Sequence, residues 1–234
     1  MVLVYKVQLR HRLARAVLRP AFRLLFHILS PVTIAGRENV PKKGAYLIAL
    51  NHVSSYDPPF IIAFWPTAPE AAGAVEIWER SGQSILARMF GGIQVHRGQF
   101  DRQVLEKMIA VLQSGRPLVI APEGGRSHTP GMRQAEPGVA YLADKAGVPV
   151  IPVGIVGTTD DYAEKAFRFK RPALEMRIGN PMRLPPVEGK GAARHSSLQA
   201  NADILMREIA ALLPPEYRGV YALEQEREHD FQRI

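Results

Sequence analysis

The chain has 234 residues, 47% of them apolar, no cysteine, and a formal net charge of +8 from 30 Lys and Arg against 22 Asp and Glu. This length and apolar content permit one substantial core and demand no second full domain, and the missing cysteines exclude disulfide staples and thiolate chemistry. The positive balance points to an anionic partner, whether nucleic acid, anionic lipid or a phosphorylated metabolite.

Residues 1–30 carry Lys6, Arg10, Arg12, Arg15, Arg19 and Arg23 and no acidic side chain. On a helical wheel Arg12, Arg15, Arg19 and Arg23 share one side, while Leu13, Val17, Leu18, Leu24, Leu25 and Ile28 occupy the other. The apolar runs are shorter than the ~18 uninterrupted residues of a spanning helix, and no leader-type cleavage pattern follows them. The expectation is a basic amphipathic segment lying on an anionic membrane surface, arginines at the headgroups and leucines toward the acyl chains. The alternative is a helix packed on its own domain with its arginines solvated. Pro20 is expected to kink or split it.

From residue 31 onward a single α/β domain is expected, running to residue 234. Apolar, strand-like runs fall at 45–50, 74–78, 92–97, 117–122, 148–157 and 173–179, and helical patterns at 58–65, 84–90, 101–113, 138–145 and 197–213. This alternation predicts a mostly parallel central sheet flanked by helices. The stretch 185–197 reads as an exposed loop, and the charged tail 224–234 gives no pattern to build on.

The polar motifs fall where strands end, the usual place for functional groups in such sheets. After the first strand comes "NHVSSYDPP", with His52 and Asp57. Asp57 precedes Pro58 and Pro59 and suits a helix cap, and His52 alone suits a core histidine. Together they form a candidate pair: a tight turn over 53–56 would let the carboxylate hold one ring nitrogen and leave the other free as a base. Arg97 ends the strand in "GGIQVHRG", where a guanidinium could grip phosphate or lie on a solvated surface. "PEGGRS" supplies Glu123, Gly124, Gly125, Arg126 and Ser127, either as an anion site with close backbone approach or as a turn with a Glu123–Arg126 ion pair. "VPVIPVGI" reads best as a core strand. No further His or Cys accompanies His52 and Asp57 at metal-ligand spacing, so no metal site is expected.

These four motifs, in this order over residues 45–157, resemble those of the glycerolipid acyltransferases that make phosphatidic acid from 1-acylglycerol-3-phosphate. The resemblance implies His52 as general base and Asp57 as its orienting partner. It also implies an acceptor-phosphate site at Arg97, Glu123, Gly124, Gly125 and Arg126, with Ser127 at its margin. It implies acyl-CoA or acyl-acyl carrier protein as co-substrate, a lysophospholipid acceptor, no cofactor, and a peripheral position on the cytoplasmic face of a membrane. Two features depart from the family pattern: Gly125 stands where threonine is usual, and "AGAVEIWER" lacks the customary lysine. Both predict fewer phosphate donors and leave room for another acceptor, such as a lyso-aminolipid. Asn51 is a candidate oxyanion donor by position alone. A non-catalytic lipid-binding module is the second reading. A nucleic-acid binder is the third, and no nucleic-acid motif supports it.

Overall fold

The computed structural model describes residues 5–98 and 101–222; the charged tail at 224–234 lies outside them. Seven strands form one sheet: β1 (Val32–Ala35), β2 (Leu47–Leu50), β3 (Glu70–Ala74), β4 (Ile93–Val95), β5 (Leu118–Ile120), β6 (Val150–Val156) and β7 (Leu174–Ile178). Their spatial order is β1-β7-β6-β2-β5-β3-β4. All neighbours pair in parallel except β6 with β7. The sheet is therefore mostly parallel, as the alternating pattern predicts.

Helices α1 (Leu9–Leu29), α2 (Asp57–Phe64) and α6 (Tyr162–Phe167) share one face with the apolar residues of cluster Phe26, Phe60, Trp65 and Tyr162. Helices α4 (Arg102–Gln113), α5 (Gly138–Ala146) and α7 (Gly191–Ala211) cover the other, through Val111, Leu142, Leu205 and Ile209. Strand β2 shows why both faces close: Leu47 and Ala49 pack on one cluster, Ile48 and Leu50 on the other. Successive side chains of a strand point to opposite faces, so a strand apolar at every position needs a helix layer on each side.

Several expectations are corrected. The strand expected at 74–78 lies at Glu70–Ala74, and Val75–Trp78 forms a 3₁₀ turn. Its small residues let the turn fold back on it: a Cβ on Gly73 would stand 3.0 Å from Ile77 Cδ1. Helix α7 begins within the stretch read as a loop, and β1 and α6 were not anticipated. Pro20 sits inside α1 without dividing it.

The leucine side of α1 is exposed, but Arg15, Arg19 and Arg23 are neither at headgroups nor solvated as the two expectations had them. Arg15 is buried and makes paired bonds to the Glu70 carboxylate at 2.7 and 2.6 Å. Arg19 and Arg23 donate to the carbonyls of Ile62, Ala63 and Trp65. Those carbonyls end α2, where helix geometry leaves them without partners and the dipole favours cations. The arginines thus face the protein, and Leu9, Leu13, Val17, Leu24, Leu25 and Ile28 face outward. Among the described residues no helix is long and apolar enough to cross a membrane.

Candidate active site

Because β2, β3, β4, β5 and β6 run the same way, the motif loops after β2, β4 and β5 emerge at one edge of the sheet. Asn51 fixes the exit of β2. Its side chain donates to the Ile155 carbonyl at 3.0 Å and accepts from the Ile155 N–H at 2.7 Å, extending the β2–β6 ladder by one polar rung. Its amide is therefore committed to the fold, and the oxyanion role suggested by position is withdrawn for the side chain.

His52 follows and is clamped from both sides of its backbone. Its N–H donates to Glu123 Oε1 at 2.7 Å, and its carbonyl accepts the Ser127 N–H at 2.8 Å. The turn over Val53–Tyr56 brings Asp57 back to the imidazole, with Nδ1 2.7 Å from Asp57 Oδ2. The same oxygen accepts the Ser54 N–H at 2.9 Å, while Oδ1 accepts the Thr158 hydroxyl. Asp57 is the first residue of α2 and caps none of its N–H groups, so its carboxylate serves the turn and the ring. The aspartate is fully buried, whereas the His52 side chain is 13% exposed and lines an apolar groove of about 190 Å³. A carboxylate bonded to Nδ1 holds the proton there and presents Nε2 as the free acceptor.

The groove runs under α1 and α3 (Gln83–Phe90), walled by Leu18, Phe22, Ile62, Trp78, Leu86 and Phe90, with Arg97 and Arg126 at its polar end. Arg126 lies 3.7 Å from Asp160, which also accepts from His128 Nδ1 at 2.8 Å. The Glu123–Arg126 ion pair weighed from sequence does not form. Glu123 is buried, and its two oxygens accept the N–H groups of His52 and Arg133, the latter at 2.7 Å. Burial pushes its carboxyl above the ordinary value against the pull of those N–H donors. It is a strut between loops and is not available to a ligand, which corrects its expected place in a phosphate site. Ser127 is likewise turned away, its hydroxyl donating to the Thr129 carbonyl.

Gly124 takes a positive φ of 65° and donates its N–H to the Ala121 carbonyl, so it makes the turn. Gly125 makes room for a guanidinium: a Cβ there would stand 3.0 Å from Arg133 Nη1 and 4.0 Å from Arg97 Cζ. Where the usual threonine is missing, a third arginine thus stands beside Arg97 and Arg126. Sequence reasoning missed Arg133 and Thr158; Thr158 follows the last residue of the fourth motif by three residues, the one signal that could have pointed to it. Among the described residues no group of three His, Cys, Asp or Glu is placed to hold a metal ion.

A buried carboxylate orienting an imidazole over an apolar groove, with guanidinium groups at one end, is a general-base arrangement open to an amphiphile. A family profile described as Acyltransferase matches residues 31–156, more than half of the sequence, and the chain belongs to that family. It is 27% identical over 169 residues to mouse 1-acyl-sn-glycerol-3-phosphate acyltransferase alpha, covering 68% of this chain and 56% of that protein. It is 32% identical over 148 residues to the lyso-ornithine lipid O-acyltransferase of Pseudomonas aeruginosa, covering 63% of this chain and 54% of that one. The chain thus spans little more than half the length of the curated relatives it matches. The crystal structure of the 1-acyl-sn-glycerophosphate acyltransferase PlsC from Thermotoga maritima shares the fold, with a TM-score of 0.60 and 22% identity over 86% of this chain and 78% of that one.

Proposed function

We propose that this protein transfers a fatty acyl group from an acyl thioester to the free hydroxyl of a lysophospholipid, with 1-acylglycerol-3-phosphate as acceptor and phosphatidic acid as product. The observation that carries this reading is the Asp57–His52 pair beside an apolar groove that ends in arginines. His52 Nε2 takes the proton of the lipid hydroxyl as its oxygen attacks the thioester carbonyl. Collapse of the tetrahedral intermediate breaks the C–S bond, and the imidazolium returns its proton to the departing thiolate of CoA or acyl carrier protein. Arg97 and Arg126, with Arg133 beside them, hold the acceptor phosphate, a role suited to planar guanidinium groups.

The protein docks on a membrane surface through the outward arc of α1 and through Ile85, Leu86 and Met89 of α3, all exposed apolar side chains. A leaflet on the cytoplasmic side would accept them together with the surrounding cations. The matching lyso-ornithine lipid enzyme and the carboxylate of Asp160 beside Arg126 favour one second reading, an amine-bearing lysolipid acceptor. Thiol release measured with purified protein, an acyl thioester and a panel of lysolipids tests both. Phosphate-dependent release that disappears in His52→Ala supports the first reading. Release that needs an acceptor amine supports the second, and release that persists in His52→Ala contradicts the mechanism.

A further inference from the structure

A second cavity, of about 470 Å³, opens at the other edge of the sheet. It lies among the turns that lead into β2, β3 and β5, under the flank of α1. Tyr46 lines it and His52 stands beyond the far end of β2, which separates the two sites by about 15–20 Å at ~3.3 Å per residue. The lining includes Arg12, Arg15, Arg19, Lys42, Lys43 and Arg116, and no acidic residue.

Among the described residues the single carboxylate that reaches this group is Glu70, shared by Arg15 and Arg116 and further engaged by the Tyr5 hydroxyl. Among the described residues, six cations against that one carboxylate leave an excess of five charges. Arg19 registers the crowding: burial, then the charges of Arg23 and Arg15, hold its guanidinium below the ordinary value. Among the described residues, no hydrogen bond or ion pair engages the side chains of Arg12, Lys42 and Lys43. Like charges gathered in a concavity focus the field and raise the local concentration of anions. Lysine as a compact point charge and arginine as a planar fork are the residues that hold phosphate.

We infer that the cavity bounded by α1, Lys42, Lys43 and Arg116 is a phosphate-binding site separate from the catalytic groove. Two sources share that chemistry, the phosphate of a phospholipid headgroup and the phosphate of a soluble metabolite. Arg12 and Arg19 border the outward apolar arc of α1, so a leaflet receiving that arc would bring headgroups to the mouth of the cavity. That choice of source rests on the membrane reading above, whereas the excess charge does not.

The test titrates the full chain calorimetrically with inorganic pyrophosphate and, separately, measures its partition onto phosphatidylcholine vesicles with and without phosphatidylglycerol. Lys42→Glu/Lys43→Glu, two exposed positions in a surface turn, should weaken pyrophosphate binding at this site by about tenfold or more, and a pyrophosphate site should persist in Arg97→Ala, which removes only a phosphate contact of the groove. Lys42→Ala/Lys43→Ala, with an unaltered circular dichroism spectrum, should give a smaller loss in the same direction. A severalfold drop in partition onto phosphatidylglycerol vesicles in the charge-reversed variant, with competition by pyrophosphate, identifies a headgroup; pyrophosphate binding with unchanged partition identifies a soluble phosphate. The inference is overturned by wild-type protein that binds no pyrophosphate and partitions like the variant, or by binding that Arg97→Ala abolishes and the lysine variant keeps. Neither readout involves turnover, so failure here leaves acyl transfer standing, and absent thiol release leaves this site standing.

Discussion

His52 is held by its backbone as firmly as by its ring. Glu123 and Ser127 fix the peptide on either side of it, and Asp57, itself fixed by Ser54 and Thr158, fixes Nδ1. An oriented base whose orienter is also anchored keeps the geometry that proton transfer requires. Asp57→Asn removes the acceptor that selects the tautomer and should lower kcat by about 10³–10⁴-fold with little change in KM, read from thiol-release kinetics. Thr158→Val leaves Asp57 Oδ1 without its donor in a buried site. It should cost about 1–3 kcal/mol in denaturant unfolding and lower kcat through a looser Asp57. At the other end of the groove, Gly125→Thr would restore the usual hydroxyl but press its Cβ toward Arg133 Nη1, 3.0 Å away. Because that contact is the end of a flexible side chain, stability should change by less than about 1 kcal/mol. The displaced Arg133 should show in a KM change confined to phosphate-bearing acceptors.

Helix α1 is tied to the sheet by charge as well as by Phe26, so its attachment depends on pH. Burial alone would raise the Glu70 carboxyl, but the Arg15 hydrogen bonds and charge, the Tyr5 hydroxyl and Arg116 outweigh it and hold the group below its ordinary 4.5. A folded value below the unfolded one means that this stabilisation is complete above 4.5 and is lost as pH falls through the depressed value. Glu123 has the opposite sign: its raised carboxyl favours the fold most at low pH, an advantage lost as pH rises through the folded value. Glu70→Gln should lower stability near neutral pH by about 3 kcal/mol or more, because Arg15 stays buried without its partner. The same variant should flatten the acid limb of a Tm-against-pH curve.

The end of α6 carries strain that its own packing does not explain. Phe169 adopts φ 58° where the chain leaves the helix, with Phe169 N–H on the Ala166 carbonyl and Lys170 N–H on the Lys165 carbonyl. This is a C-terminal cap that glycine normally fills, yet Phe169 is 90% exposed beside Arg168, Lys170 and Arg171. Arg171 reaches the His27 carbonyl at the end of α1, which puts the loop next to that helix's outward arc. Phe169→Gly should raise the unfolding free energy by up to about 1 kcal/mol and weaken partition onto anionic vesicles. Equal partition of the two proteins would remove this loop from the docking surface.

At the scale of the whole molecule, the sheet separates two positively charged regions. The catalytic groove lies at the carboxyl ends of the parallel strands, and the phosphate cavity lies at their amino ends. Helix α1 passes over both, lending Leu18 and Phe22 to the groove and Arg12 and Arg19 to the cavity. Deleting α1 should therefore do more than detach the protein from vesicles, since it opens the groove wall and takes Arg15 from the buried Glu70, leaving that carboxylate to Arg116. The expected outcome is loss of cooperative unfolding, seen by thermal denaturation.

The amino-acid sequence by itself determined the alternation of strands and helices and the meeting of His52 with Asp57, since both rest on local spacing and on a five-residue turn. It also separated the arginine and leucine sides of α1, because helical periodicity is a local property. Only the tertiary structure decided which side faces inward, since that depends on Glu70 and the carbonyls of α2, forty residues or more away along the chain. The same holds for Thr158 beneath Asp57, for Glu123 as a strut, and for Arg133 in the space left by Gly125. Their roles are set by partners that no window of sequence contains, because burial and hydrogen-bond satisfaction are fixed when distant strands close into one sheet.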